Sequence, residues 1–394
     1  MKMIVMKKRY SLGFPLVCLL LLFSFHFSAS DIQAENSFTR DYWPIDEWQI
    51  ATPKSKNMDS DILEEMLEFI DEENPYYDSL VLIRNGYIIL EKYYFSYESE
   101  DLHHLWSSTK SFISALVGIA LGEGLIGSIN DKMLDYFPNK TISSYEPRRE
   151  NITIEHLLTM SSGIAWEFYL HQAIFSGHED PVEFALNLPL NFDPGSQFEY
   201  INGGPHVLSG IINEVIDTTV EEYAIEKLFN PIGINDFLWP KDQQNVTQGS
   251  YGLSLTPRDC ARFGYLYLNN GTWDGQQIIP SDWVEKSLEV YWTLTSNVSY
   301  GYLWWVYPYN NCFATRGYEE QNIFVLPEYD IVFVTTGKAP SNAIDARYLI
   351  DDYIIPAVIH KTEKLSNKFF ITLIAAILCF AVVYSRSVKR KRFK

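Results

Sequence analysis

Ser107 is followed three residues later by Lys110, and the tetrapeptide runs straight into an apolar stretch at residues 112–121. Positions i and i+3 of a helix share a face, so on a buried helix the Lys110 amine lies beside the Ser107 hydroxyl. That is a way to make an alcohol nucleophilic. A lone Ser-x-x-Lys also arises about once by accident in a chain of this length, as a helix cap followed by a surface lysine. Tyr200 and Asn202 supply the missing chemistry. Acyl transfer by a serine needs a base for the hydroxyl proton, an acid for the leaving group and two donors for the oxyanion. Lys110 serves as the base if burial lowers its pKa toward neutrality. A phenol beside an ammonium titrates as a coupled pair with it, which makes Tyr200 a proton relay. The Asn202 amide can hold the lysine or a substrate carbonyl. The segment DPGSQFEYINGG (193–204) puts Tyr200 on a rigid turn ahead of a helix expected from His206.

These groups need a scaffold, and the pattern around them supplies one. Residues 59–70 read as an amphipathic helix. Residues 79–95 carry apolar and β-branched residues on both sides of Asn85-Gly86, a strong hairpin signal. Residues 126–299 read as mainly helix and loop, with helices at 154–158, 181–186, 206–216, 220–228 and 257–268. Thr256-Pro257-Arg258-Asp259 opens the last of these with a cap residue, an N1 proline and an acid at the third helical position. Strands follow at 302–307, 312–315, 322–326 and 331–335, and a final helix at 345–355. Strands at both ends imply an α/β (α+β) fold. Its mixed, mainly antiparallel sheet comes from residues 75–105 and 300–362, is flanked by helices, and has a mainly helical insertion at 126–299.

The termini have a different composition. Lys2, Lys7, Lys8 and Arg9 precede an apolar run at 12–27, and Ser28-Ala29-Ser30 offers a cleavage site, so residues 1–30 read as a signal peptide or signal anchor. Cys18 lacks a lipobox. A second apolar run at 369–384 is followed by six cations, which fits a transmembrane helix at 365–385 with a basic cytoplasmic tail at 386–394. Residues 31–364 are then the catalytic domain of a single-pass cell-membrane protein, facing outward. Setting aside the four N-terminal and six C-terminal cations leaves 21 Lys and Arg against 50 Asp and Glu, a charge of about −29. That surface argues against a nucleic-acid partner. Cys260 and Cys312 either pair or remain as buried thiols. Asn139, Asn151, Asn245, Asn270 and Asn297 are sequons that matter only in a glycosylating host.

With its motifs WSSTKSF (106–112) and FEYINGG (198–204), the chain resembles the serine β-lactamase and penicillin-binding-protein superfamily. The likeness is to the class C β-lactamase-like branch that includes esterases and 6-aminohexanoate-dimer hydrolases. It spans about 75–360 and also rests on ITIEHLLTMSSGIAW (152–166), YGLSLTPRDCARFGYLYLNNGTWDGQQIIP (251–280) and YGYLWWVYP (300–308). The resemblance implies a β-lactamase/transpeptidase-like fold, with Ser107 as nucleophile, Lys110 as its activator, Tyr200 as proton relay and Asn202 as polar support. It implies an oxyanion hole from the backbone N–H groups of Ser107 and Tyr318. The counterpart of the family's third motif, a cation or histidine followed by Ser or Thr and Gly, is Thr315-Arg316-Gly317. It departs from that pattern, which counts against recognition of a β-lactam or D-Ala carboxylate. On a regular strand Thr315 and Gly317 share one face and Arg316 takes the other, which leaves open whether Arg316 reaches substrate. Glu319 and Glu320 read as solvated turn carboxylates that disfavour an anionic substrate.

Other motifs carry less. Glu183-Phe-Ala-Leu-Asn187 spells a class A β-lactamase element but precedes Tyr200 rather than following it, so it reads as helix surface. His103 and His104 diverge on a strand, and no third ligand is spaced for zinc. No Gly-x-Ser-x-Gly elbow occurs. Trp166, Phe168, Tyr169, Trp304 and Trp305 are candidates for an apolar acyl pocket or for the core. The reading is a membrane-anchored serine hydrolase without metal or cofactor, acting on a small-molecule ester, amide or peptide. The alternatives are a D-alanyl carboxypeptidase or β-lactamase, and a non-catalytic binding ectodomain on the same fold.

Overall fold

The computed structural model describes residues 40–73, 76–143, 146–166, 177–340 and 343–359. The N-terminal segment 1–30, the 365–385 span, the 386–394 tail, Phe168 and Tyr169 lie outside these residues. Among the described residues, no helix is long and apolar enough to cross a membrane.

Asn85 and Gly86 both adopt positive φ, 51° and 81°, the two-residue turn whose twist matches that of the flanking strands. They join β1 (Tyr77–Arg84) to β2 (Tyr87–Tyr93) in an antiparallel hairpin. Six further strands come from the C-terminal part: β3 (Trp292–Thr293), β4 (Ser299–Tyr300), β5 (Trp305–Tyr307), β6 (Cys312–Gly317), β7 (Gln321–Leu326) and β8 (Ile331–Gly337). They form one sheet in the order β2-β1-β8-β7-β6-β5-β4-β3. β1 pairs antiparallel with β8 from Ser79 opposite Thr336 to Arg84 opposite Ile331, so the N-terminal hairpin closes against the last strand.

Successive side chains of a strand point to opposite faces. Val81, Ile83, Ile323, Val325, Val332 and Val334 enter one core, and Leu80, Leu82, Phe324, Leu326, Ile331 and Phe333 enter the other. Both faces are therefore apolar, and helices must cover both. Helix α1 (Ser60–Glu73) and residues 347–354 cover the second face. The first is covered by α2 (Thr109–Gly122), α3 (Ile154–Leu158), α4 (Gly203–Val215) and α5 (Pro257–Leu268). Helix α2 is buried from Thr109 through Ala120, as a helix apolar on every side requires. The Thr256 side chain accepts the Asp259 N–H at the start of α5, with Pro257 in the first turn.

Several elements differ from the expected ones. Helix α4 begins at Gly203, three residues early, because Pro205 in a first turn forfeits no intrahelical bond. Strand β5 begins at Trp305 rather than 302, since Gly301 and Trp304 close a turn with Leu303 at φ 60°. Strand β3 falls within a stretch expected to be helix and loop and β4 straddles its end, and two residues carry no readable periodicity. Of the two cysteine alternatives, the free thiols are observed: Cys260 on α5 and Cys312 on β6 are both buried and unpaired.

Candidate active site

Ser107 lies in a 3-10 turn, Trp106–Ser108, that runs directly into α2 rather than in the helix's own first turn. Trp106 has φ 48°, a conformation a bulky residue adopts only where its surroundings enforce it. Its ring is held edge-on by His104 at 4.4 Å and Tyr318 at 5.7 Å. Beneath the turn, Thr315 donates to Ser108 Oγ at 2.9 Å, and Ser108 donates to the Gln321 carbonyl at 2.8 Å. At the end of β6 a Cβ on Gly317 would lie 2.2 Å from the Leu105 carbonyl oxygen. Only glycine lets the strand approach the serine turn this closely.

One turn into α2, Lys110 is 1% exposed, and its Nζ donates to three acceptors: Ser107 Oγ at 2.9 Å, Asn202 Oδ1 at 2.8 Å and the Ser250 carbonyl at 2.8 Å. Burial alone pushes its pKa from 10.5 down to about 7. An ammonium has three N–H donors and a neutral amine has two donors and a lone pair. When Lys110 loses its proton, Asn202 and Ser250 can keep the two remaining N–H groups. The lone pair is then left pointing at the Ser107 hydroxyl. This is the geometry a general base requires.

Tyr200 lies just before Asn202, the N-cap of α4, with its ring 5.0 Å from Lys110 Nζ. Burial raises the phenol to about 12, against a smaller opposing effect of a hydrogen bond with Ser107. The neighbouring amine therefore does not make Tyr200 an anion near neutrality. The phenol keeps its proton there, and Lys110 is the group that empties first. The Tyr200 ring is fixed by Trp305 at 5.9 Å and Tyr300 at 6.2 Å.

The strand motif divides. Thr315 is buried against the serine turn, whereas Arg316 points to the other face of the sheet. There it binds Asp345 at 2.9 Å, Asn322 at 3.3 Å and Glu320 at 3.5 Å. Arg316, carried over with Thr315 and Gly317 as a candidate for substrate binding or support and with its facing left open, therefore has its guanidinium engaged away from Ser107. Glu320 is likewise not a solvated turn carboxylate. It accepts from Arg316, from Asn322 Nδ2 at 2.9 Å and from the Ala346 N–H at 3.0 Å, and burial raises its pKa. Glu319 and Glu320 both have positive φ, 63° and 67°, so the turn carrying Tyr318 is tightly coiled.

Of the aromatic candidates, Trp305 borders the site, while Trp304 stacks on Phe263 and packs against Tyr267 in the core and Trp166 is buried beneath α4. His103 turns toward Asp78 at 3.7 Å, and His104 toward Trp106. Burial lowers His103 to about 4. Glu183 and Asn187 lie on a short helix, where Asn187 bonds Thr141 and Ser143. Ser250 is the residue that sequence reasoning missed. It acts on Lys110 through its carbonyl, and a backbone oxygen leaves no signature in a residue type.

A family model described as Beta-lactamase matches residues 78–353, most of the chain and all the residues of the site. The chain belongs to that beta-lactamase family. Among curated relatives of this family member, a 6-aminohexanoate-dimer hydrolase from Paenarthrobacter ureafaciens is 24% identical over 329 residues, covering 74% of this chain and 80% of the relative. Among solved structures, an octameric penicillin-binding protein homologue from Pyrococcus abyssi aligns with a TM-score of 0.61 at 21% identity, over 77% of this chain and 78% of that one. A family VIII carboxylesterase aligns with a TM-score of 0.61 at 14% identity, over 78% and 99%. The structural likenesses establish the fold, that of β-lactamases and penicillin-binding proteins.

Proposed function

We propose that this protein is a serine hydrolase that cleaves esters or amides through an acyl-enzyme on Ser107. The observation that carries the reading is the buried Lys110 amine, held by Asn202 and Ser250 and in contact with the Ser107 hydroxyl. In acylation the Ser107 oxygen bonds to the substrate carbonyl carbon as its proton passes to Lys110 Nζ. The oxyanion takes hydrogen bonds from the backbone N–H groups of Ser107 and Tyr318. The C–O or C–N bond to the leaving group then breaks, and the leaving group takes a proton through Tyr200, which Lys110 replenishes. Water, losing its proton to the same pair, hydrolyses the acyl-enzyme and restores Ser107.

The substrate class follows from the surroundings. The Tyr200 ring packs on Trp305 and the buried Tyr300, and the exposed rings of Trp106 and Tyr318 meet beside the serine turn, an aromatic setting that suits an apolar acyl or leaving group. Arg316 is bound by Asp345 and Glu320, which argues against a carboxylate-recognising carboxypeptidase or β-lactamase. We further read the enzyme as anchored by residues 365–385 with its catalytic domain outside the cell, on the apolar run and the cations that follow it.

The test is the intact mass of the full chain in detergent after exposure to a fluorophosphonate, beside Ser107→Ala, with p-nitrophenyl acetate turnover followed in parallel. A single adduct and turnover, both lost in the variant, are expected. Folded protein that forms no adduct would leave a binding ectodomain, and adduct formation with a fluorescent penicillin would point to the carboxypeptidase. Protease treatment of intact cells should remove the catalytic domain if it faces outward.

A further inference from the structure

One turn beyond Asn202, α4 carries a second buried ionisable pair. His206 is fully buried, with Nε2 2.9 Å from Asp242 Oδ2. Its other nitrogen, Nδ1, accepts the Gly249 N–H at 3.3 Å. An accepting nitrogen carries no proton, so the ring proton resides on Nε2 and is donated to Asp242. The carboxylate cannot rotate freely, because Oδ1 accepts the N–H groups of Gln244 at 2.8 Å and Val246 at 2.9 Å. Burial would raise this carboxyl, but His206 and the two N–H groups hold it below its ordinary range.

The segment thus gripped leads directly to Lys110. A Cβ on Gly249 would lie 2.3 Å from the Pro205 carbonyl oxygen, so this stretch runs hard against the start of α4. Ser209 donates to the Thr247 carbonyl at 2.6 Å and Trp239 to the Gln248 carbonyl at 2.7 Å. The next residues deliver Ser250, whose hydroxyl donates to the Asn202 carbonyl and whose own carbonyl takes a Lys110 N–H at 2.8 Å.

We propose that His206 and Asp242 are positioning residues for the reaction at Ser107. They hold residues 249–250 so that the Ser250 carbonyl occupies one N–H of Lys110 and its lone pair is aimed at the serine. The inference rests on the reading of Lys110 as the base. Asp242→Asn isolates the effect. The Gln244 and Val246 N–H groups would keep the amide oxygen in the Oδ1 place and turn the amide N–H toward His206 Nε2. That forces the ring proton to Nδ1, against the Gly249 N–H. His206→Asn does the opposite, placing an acceptor near the Nδ1 position without the link to Asp242.

The experiment is a titration of Lys110 by its 13Cε resonance in the folded full chain, assigned by its absence from Lys110→Met. It is run with kcat and thermal midpoints for both variants. In Asp242→Asn the ammonium loses an acceptor, so its titration midpoint should fall by about one pH unit. In the same variant kcat should drop on the order of a hundredfold. His206→Asn keeps the acceptor for Gly249 but loses the link to Asp242, so both should move in the same direction by a smaller amount. An unchanged midpoint in folded Asp242→Asn overturns the proposal, as does equal loss of kcat in the two variants in step with their thermal midpoints. A shifted midpoint in a protein that no fluorophosphonate labels would uphold the positioning role and sink the hydrolase reading.

Discussion

Replacing Lys110 with methionine should change the pH dependence of folding as well as abolish turnover. The folded protein holds Lys110 at about 7 and the unfolded chain at 10.5, because burial disfavours the ammonium. Between these values the unfolded chain binds more protons, so the Lys110 contribution makes wild-type stability rise with pH across that window. At 1.36 kcal/mol per unit, the contribution changes by about 4 kcal/mol from pH 6 to pH 10. The methionine variant lacks this dependence. It also leaves Asn202 Oδ1 and the Ser250 carbonyl without a donor, a cost that does not depend on pH. The difference in unfolding free energy between wild type and Lys110→Met should therefore move by about 4 kcal/mol in favour of wild type from pH 6 to pH 10. Urea denaturation of both proteins at pH 6, 8 and 10 measures it. A constant difference would mean that the lysine keeps its ordinary pKa when folded, and the case for Lys110 as the base at neutral pH would fall with it. The same value fixes the rate profile: kcat/KM should fall about tenfold per unit below pH 7, as the neutral amine becomes scarce.

Tyr200→Phe keeps the ring against Trp305 and Tyr300, so the thermal midpoint should hardly move. Loss of the phenol proton should lower kcat by about 10²–10⁴-fold on substrates with poor leaving groups and less on p-nitrophenyl esters. Gly317→Ala drives a Cβ against the Leu105 carbonyl and must push β6 away from the serine turn. Its kcat should fall by about a hundredfold, with fluorophosphonate labelling slowed in proportion. Arg316→Ala leaves Glu320 without its cation while Asp345 keeps Arg347, and should cost about 1–2 kcal/mol in urea. Because the guanidinium faces away from Ser107, kcat/KM for a neutral ester should be unchanged in the folded variant, and a large loss would place Arg316 in the cleft after all.

Much of this was legible because it depends on short-range rules. Asn85-Gly86 specifies a hairpin by its φ angles, Thr256-Pro257 specifies a helix start by its missing donor, and Ser107 and Lys110 meet because residues three apart share a face where a 3-10 turn runs into a helix. Strand alternation also separates Arg316 from Thr315. It does not say which face meets the serine turn. That depends on the Thr315 to Ser108 contact across 207 residues. Glu320 was misread for the same reason, since its partners Arg316 and Ala346 come from two different elements. Ser250 was invisible because its working atom is a backbone carbonyl, 140 residues from Lys110.

The pKa directions of the pair favour one order of events in the proposed reaction, which the spacing left open. If Tyr200 were the anion and Lys110 the ammonium, the serine would face a phenolate, and the lysine's three donors would all be needed to hold charge. Burial acts on both groups in the direction of their neutral forms, lowering Lys110 to about 7 and raising Tyr200 to about 12. At neutral pH the resting site therefore has a sizeable fraction of free amine beside an intact phenol, a base and an acid already separated between two residues. In the proposed reaction the first proton then moves from Ser107 to nitrogen, and the phenol keeps its own for the leaving group. A site charged in the opposite sense would set the buried phenolate against the Lys110 ammonium, and a second cation would be needed to offset the burial of both charges. The strand residue in the place for one, Arg316, is committed to Asp345 and Glu320 on the far face of the sheet.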